Sequence, residues 1–201
     1  MGLRHQKKQQ MRRRLYESAL ELFRQQGFEG ARVIDVVAAA QVSEATFYNY
    51  FPTKEAVLQA AATEVKELYG ELLSALVARE DESALERLRE LLRLIGAGFA
   101  ADPELTSSLL GRTPLFFGST GDAAALDRRN YALLAELFRQ GQTRADIETS
   151  ADPMQLAEIV TAIFMVTITN WITKWWGEEV DDLELRLMTA LDTVLDGCRP
   201  R

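Results

Sequence analysis

The sequence predicts an all-α protein: an N-terminal three-helix unit containing a helix-turn-helix, followed by a larger C-terminal helical domain. Three observations predict this. Apolar residues recur at helical spacing along most of the 201 residues, helix starts are marked by capping residues, and no stretch sustains strand alternation or carries an Asn-Gly hairpin signal.

Each element follows from local chemistry. Leu15, Ala19, Leu22 and Phe23 make the apolar face of the first helix, which Gly27 can end in a left-handed cap. Val33, Val36, Val37 and Ala40 make a second, short face. Ser43 can cap a third helix and Thr53 a fourth, running to about Ala78. Ser83 with Glu86 reads as a capping box. Asp102–Pro103 and Asp152–Pro153 each place a cap before a proline at the first helical position, where its missing N–H costs nothing. Asp181 with Glu184 marks the last helix, and "GRTPLFFGSTGD" at 111–122 is the loop-rich patch. Roughly nine helices result, divided at 1–58 and 59–201.

Composition bounds the function. At 47% hydrophobic and 26% charged, the chain is an ordinary globular protein. Its net charge of −7 argues against a protein that coats nucleic acid indiscriminately. The total hides an asymmetry: residues 1–60 carry nine Lys/Arg against six Asp/Glu, and the rest fourteen against twenty-four. Only the front is suited to meet a polyanion. Its basic arm holds Arg4, Lys7, Lys8, Arg12, Arg13 and Arg14 and no acid, so groove or phosphate contact stands beside a merely solvated tail. A single cysteine, Cys198, excludes a disulfide framework within the chain and fits a reducing cytoplasm. The N-terminus lacks the apolar stretch of a signal peptide. "IVTAIFMVTITNWIT" at 159–173 falls short of the ~20 residues that span a bilayer and reads as a buried helix, so no membrane association is expected.

Four aromatic rings crowd residues 47–51: Phe47, Tyr48, Tyr50 and Phe51. Phe47 and Phe51, four apart, can point inward. The tyrosines can pack on the domain while their hydroxyls reach phosphate oxygens. A short helix, a tight turn near Ala40–Val42 and a second short helix make a helix-turn-helix, whose second helix enters the major groove. The alternative is a generic helical hairpin.

The stretch 12–61 resembles the N-terminal domain of the tetracycline-repressor (TetR) family. The features that carry the resemblance are Ala19, Leu22, Phe23 and Gly27, then Val42–Ser43, Thr46–Phe47–Tyr48, Tyr50–Phe51 and Lys54–Glu55. It covers about a quarter of the chain; the rest is similar only in layout. The resemblance implies a homodimeric repressor whose larger domain binds a small-molecule effector. It implies Thr46, Tyr48, Tyr50 and Lys54 as DNA contacts, with Lys54 at a helix N-terminus that favours phosphate. Three positions depart from the family pattern. Gln41 stands where the turn commonly has glycine, Arg32 where the second helix usually begins with threonine, and Ile34 where relatives are often polar. Arg32 can still grip a phosphate. Base reading then falls on Glu44, Ala45, Thr46 and Asn49: Glu44 can accept from a cytosine amino group, and the Thr46 methyl can meet a thymine methyl.

In the larger domain, Phe99, Phe117, Tyr131 and Phe138, with Thr167, Asn170 and Trp171 on one apolar helix, are candidates for an apolar pocket with a few polar groups. Packing in the core or in a dimer interface is the competing reading for each. Ala157, Val160, Thr161 and Phe164 follow helical spacing in the 153–197 region, which the resemblance makes the dimer-forming part; burial within one subunit is again the alternative. Enzyme readings find little footing. His5 is the only histidine, Cys198 has no histidine beside it, and no glycine-rich phosphate loop or metal-ligand cluster is present in the sequence. The expectation is a DNA-binding regulator without cofactor or metal. Its partners are a double-stranded operator, an apolar or amphipathic effector and a second copy of the chain. A helical ligand-binding or protein-interaction module with vestigial DNA binding is the alternative.

Overall fold

The computed structural model describes residues 2–115, 119–147, 150–175, 177 and 182–197. Among these, nine helices and no strand occur: α1 (Leu3–Gly30), α2 (Val33–Ala39), α3 (Glu44–Tyr50), α4 (Glu55–Val77), α5 (Ala84–Ala101), α6 (Pro103–Arg112), α7 (Gly121–Thr143), α8 (Pro153–Ile172) and α9 (Leu183–Gly197). They gather into two compact units. The first comprises Met1–Ala62 with Asp102–Thr113, and the second Thr63–Ala101 with Pro114–Arg201. The expected division at residues 58 and 59 therefore falls inside α4, and α6 joins the first unit.

In the first unit α1 packs on α2 and α6, and α2 on α3. Leu15, Ala19, Phe23, Val36, Phe47, Phe51, Val57 and Leu58 are buried together as its apolar centre. Gly27 adopts φ +70° and kinks α1, which then continues to Gly30. The expected positive-φ break at Gly27 is thus present, followed by a further short helical turn to Gly30. The kink lets Phe28 turn back onto Phe23, ring centroids 5.1 Å apart. α6 is fastened to α1 near both ends: Arg24 pairs with the N-cap Asp102 (2.5 Å), and Arg112 with Glu29. Asp102 also accepts from the Leu105 amide, as the Asp-Pro signal requires.

In the second unit α7 packs on α8 and α5, and α9 on α8 and α5. Leu88, Leu91, Leu134, Phe138, Leu156, Val160, Ile168, Leu187 and Leu191 fill the centre. Asp152 caps α8 by accepting from the Met154 and Gln155 amides (2.7 and 3.1 Å). The expected capping box of α5 is replaced by a distant partner. The Ala84 amide donates to Asp146 (3.0 Å), and Glu86 pairs with Arg89. Asp181 lies outside the described residues; Asp182 supplies the cap of α9, accepting from the Leu185 amide.

α8 is 20 residues, long and apolar enough by length and composition to cross a bilayer. Its Leu156, Ala157, Val160, Thr161, Phe164 and Ile168 nevertheless form one buried face against the rest of the unit, as the core helix of a globular protein would. That burial corrects the sequence expectation for Ala157, Val160, Thr161 and Phe164, which face their own core. The opposite face exposes Met154, Ile159, Ala162 and Val166, the last 59% exposed.

Buried polarity is concentrated here. Arg87 is fully buried and donates to Leu76 O and Gln140 Oε1 (both 2.8 Å), while Gln140 donates to Val77 O. The guanidinium thus sits against the last carbonyls of α4, where the helix dipole favours a cation. Asn130 donates to Lys66 O (2.9 Å). Its own oxygen lies where a Cβ on Gly70 would meet it at 2.4 Å, so only glycine permits this approach.

Candidate nucleic-acid interface

The helix-turn-helix is built by three local devices. The turn closes through Gln41 N–H to Ala38 O (3.1 Å) and Val42 N–H to Val37 O (2.9 Å), with Gln41 at φ +51°. A left-handed non-glycine residue costs roughly 1–2 kcal/mol. The Arg14 guanidinium, reaching from α1, donates to the carbonyl of Ala40 and, at 3.5 Å, to that of Gln41, and so holds the turn. Ser43 Oγ accepts from the Thr46 amide (3.2 Å) and lies 3.0 Å from Thr46 Oγ1, capping α3. Phe47 and Phe51 then anchor α3 inward, both essentially buried, with centroids 5.9 Å apart.

That anchoring decides what α3 presents. Glu44, Ala45, Tyr48 and Asn49 are exposed on one face, at positions i, i+1, i+4 and i+5. Tyr48 stands edge-on to Phe47 (5.5 Å, 88°), which fixes its ring while leaving the side chain about half exposed. Thr46 and Tyr50 are half-buried, and the Thr46 hydroxyl is already engaged with the Ser43 cap. On α2, Arg32 is exposed and makes a two-pronged pair with Asp35 (2.9 and 3.1 Å), whose hydrogen bonds hold the Asp35 carboxyl below its usual range. Sequence reading took Ile34 for a gap in base recognition; it is 48% exposed beside Arg32.

Lys54 differs most from expectation. Its ammonium turns inward, donating to Phe28 O (2.5 Å) and Ala31 O (3.0 Å) and lying 4.2 Å over the Phe28 ring. Two of its three donors thus close the end of α1, leaving one N–H beyond these two bonds. The α4 start is capped by Thr53, as its sequence position predicts, through acceptance from the Ala56 amide (3.2 Å).

For the effector candidates the structure gives a mixed placement. Phe138 is fully buried in α7 and Phe99 nearly so in α5. Thr167, Asn170 and Trp171 are half-buried near the end of α8. Tyr131 is half-buried on α7, its hydroxyl held by Thr161 of α8 and its pKa raised by burial. Phe117 lies outside the described residues. Sequence reasoning missed a buried ion pair. Lys66, 4% exposed, pairs with Asp127 (2.7 Å) and donates to Ser119 Oγ. Its signal was legible: a lysine on the buried stripe Ala62, Lys66, Leu73 of α4. Beside this seam, burial raises the pKa of Tyr69, with Tyr131 adding to the shift.

An α3 anchored by two phenylalanines and presenting polar side chains from a capped turn defines a helix-turn-helix DNA-binding regulator. Residues 15–61 match the family described as "Bacterial regulatory proteins, tetR family". The repressor KstR of Rhodococcus jostii is 26% identical over 189 residues, covering 94% of this chain and 84% of that one. The regulator TcmR of Streptomyces glaucescens is 29% identical, covering 99% and 87%. Thermus thermophilus FadR, a TetR-family repressor solved with lauroyl-CoA, superimposes with a TM-score of 0.70 at 26% identity, covering 94% and 96%. Residues 15–61 thus carry the tetR-family match, and over most of its length the chain is similar to HTH-type transcriptional regulators and to a TetR-family repressor.

Proposed function

We propose that the chain is a homodimeric repressor that leaves a palindromic operator when an amphipathic small molecule binds its second unit. The observation that carries the reading is the exposed face of α3, where Glu44, Ala45, Tyr48 and Asn49 stand outward while Phe47 and Phe51 fix the helix. Glu44, Ala45, Asn49 and the Thr46 methyl read bases; Arg32, Tyr48, Tyr50 and the remaining Lys54 N–H hold phosphates. The reading head extends from the N-terminus into the start of α4, and the remainder binds effector and partner.

The second copy is taken to cover the exposed apolar face of α8, Met154, Ile159 and Val166, with Leu185 of α9, which is 63% exposed. Several large apolar side chains left exposed on a globular protein are a candidate interaction site. Effector chemistry is supported by two things: the lauroyl-CoA bound by the Thermus relative, and an interior that mixes apolar helix faces with the Lys66, Asp127 and Tyr131 polar seam. Tyr131, Thr167, Asn170 and Trp171 supply polar and aromatic contacts, and Phe99 and Phe138 the packing behind them.

Coupling follows the chain. It passes between the units within α4, again before Asp102 and again after Thr113, and α6 is clamped to α1 by Arg24–Asp102 and Arg112–Glu29. An effector that favours one arrangement of the second unit biases the reading head through those three crossings, a population shift toward a dimer whose heads no longer match successive major grooves. This work takes place in the cytoplasm, where the operator is. A mobility-shift assay on genomic fragments at moderate salt, titrated with lauroyl-CoA, tests the reading: bound fragments should be released. Complexes that persist at saturating lauroyl-CoA remove the acyl-CoA class.

A further inference from the structure

The cations nearest the helix-turn-helix, Arg32 and Lys54 among them, each spend part of their hydrogen-bonding capacity or charge within the first unit. Arg14 holds the turn carbonyls, Lys54 closes the end of α1, and Arg32 is paired with Asp35. Arg12 lies 4.8 Å over the Phe51 ring, and Arg13 pairs with Glu17. Arg24 and Arg112 bind Asp102 and Glu29. A protein that grips a polyanion needs cations still available to it, because phosphate neutralisation supplies most of the sequence-independent affinity.

Those cations are on the first turns of α1. Residues 2–10 are all exposed, Leu15 is the first buried residue, and α1 nonetheless begins at Leu3. The helix therefore extends ~12 Å past its packed part at 1.5 Å per residue. Arg4, Lys7 and Lys8, at i, i+3 and i+4, share one face of this extension and have no acidic partner among the described residues. Arg12 continues the four-residue spacing. It touches Phe51 at the end of α3, and Arg14 touches the turn before α3. The extension thus leaves the body beside the recognition helix.

Its sequence also works against a helix in isolation. The first turn has no acid, its cations face the positive end of the helix dipole, and Arg4–Lys8 and Lys8–Arg12 are like charges four apart. A run that breaks local rules without compensation inside the fold marks a functional surface. A row of phosphates relieves all three conflicts.

We infer that the first three turns of α1 are a helical phosphate-binding extension, in which Arg4, Lys7 and Lys8 supply the sequence-independent grip on DNA flanking each half-site. The inference rests on the DNA-binding reading above. It is tested on the full chain with Arg4→Gln, Lys7→Gln and Lys8→Gln combined. A control carries Arg93→Gln, Arg128→Gln and Arg186→Gln in the second unit, removing the same charge. Operator and random duplex are titrated from low to moderate salt. The extension variant should bind both duplexes at least about tenfold more weakly at ~0.1 M salt. Its slope of log affinity against log salt should be shallower by roughly two to three per bound protomer, with the operator-to-random ratio unchanged. The control should keep the wild-type slope. An unchanged slope in the extension variant overturns the inference while leaving DNA binding intact, as does an equal flattening in the control, which would make net charge the cause. Failure of wild type to bind any duplex sinks the DNA-binding reading itself, and the inference with it.

Discussion

The two units treat polarity in opposite ways. Among the described residues, the first buries an apolar centre around Phe23, Phe47 and Phe51, and its buried polar groups are confined to the hydroxyl-bearing Tyr16 on α1 and Thr106 and Ser108 on α6. The second buries Lys66, Arg87, Asn130, Gln140 and Thr161. A reading head must hold a fixed outer face, and an apolar, aromatic-anchored centre does that with few competing arrangements. A unit that answers a ligand needs groups that can exchange partners inside, and a buried polar network is where such exchange has large energetic consequences. Scaffold rigidity and interior polarity thus divide along the same line as the DNA reading and effector response proposed for the two units.

The largest effect should come from attacking the anchor. Phe47→Ala removes a fully buried ring and should cost the first unit ~3–5 kcal/mol. DNA binding should vanish, while most of the helical circular dichroism and the association state persist, because the second unit keeps its own core. Loss of both units together would erase the division.

Next is the interior pair. Lys66→Met leaves Asp127 partly buried and unpaired, and should lower thermal stability by an amount on the order of 2–4 kcal/mol. Lys66→Met with Asp127→Leu should recover most of that in a melting experiment, yet blunt the response of operator binding to effector. A double variant that responds like wild type would make the pair purely structural.

Lys54→Ala sharpens the contrast from the other side. Because two of its donors hold Phe28 and Ala31 carbonyls, the variant should lose ~1–2 kcal/mol of stability as well as DNA affinity. A variant with unchanged melting and a salt slope flattened by a full unit would mean that the ammonium works outward after all.

The smallest effect is Ser43→Ala, which removes the α3 cap and should cost ~1 kcal/mol. It should weaken all DNA sequences alike, since Ser43 positions α3 rather than reading bases.

What the sequence told, and what it hid, follows from the range of the interaction. Ser43, Thr53, Asp102 and Asp152 cap amides two or three residues ahead, so their roles were legible. The inward turn of Phe47 and Phe51 followed from four-residue spacing. The internal partners of Lys54 and Arg14 were hidden because they are backbone carbonyls more than twenty residues away, which no side-chain pattern announces. The cap of α5 came from Asp146 for the same reason. On α8 both faces are apolar, so periodicity could not say that Ala157 and Val160 face inward while Ile159 and Val166 face out. α6, short and mildly amphipathic, gave no hint that it belongs with α1; ion pairs to Arg24 and Glu29 decide that.

The central claim is that the outer face of α3 reads DNA as one of two symmetry-related heads. Selection of bound duplexes from a random pool tests it most directly, with sizing of the resulting complex. A palindrome should emerge, its half-sites one helical turn or a multiple of it apart, and alanine at Glu44 or Asn49 should relax preference at defined positions, at ~1–3 kcal/mol per base pair. A pool that yields no common sequence, or the same sequence for wild type and both alanine variants, would contradict it.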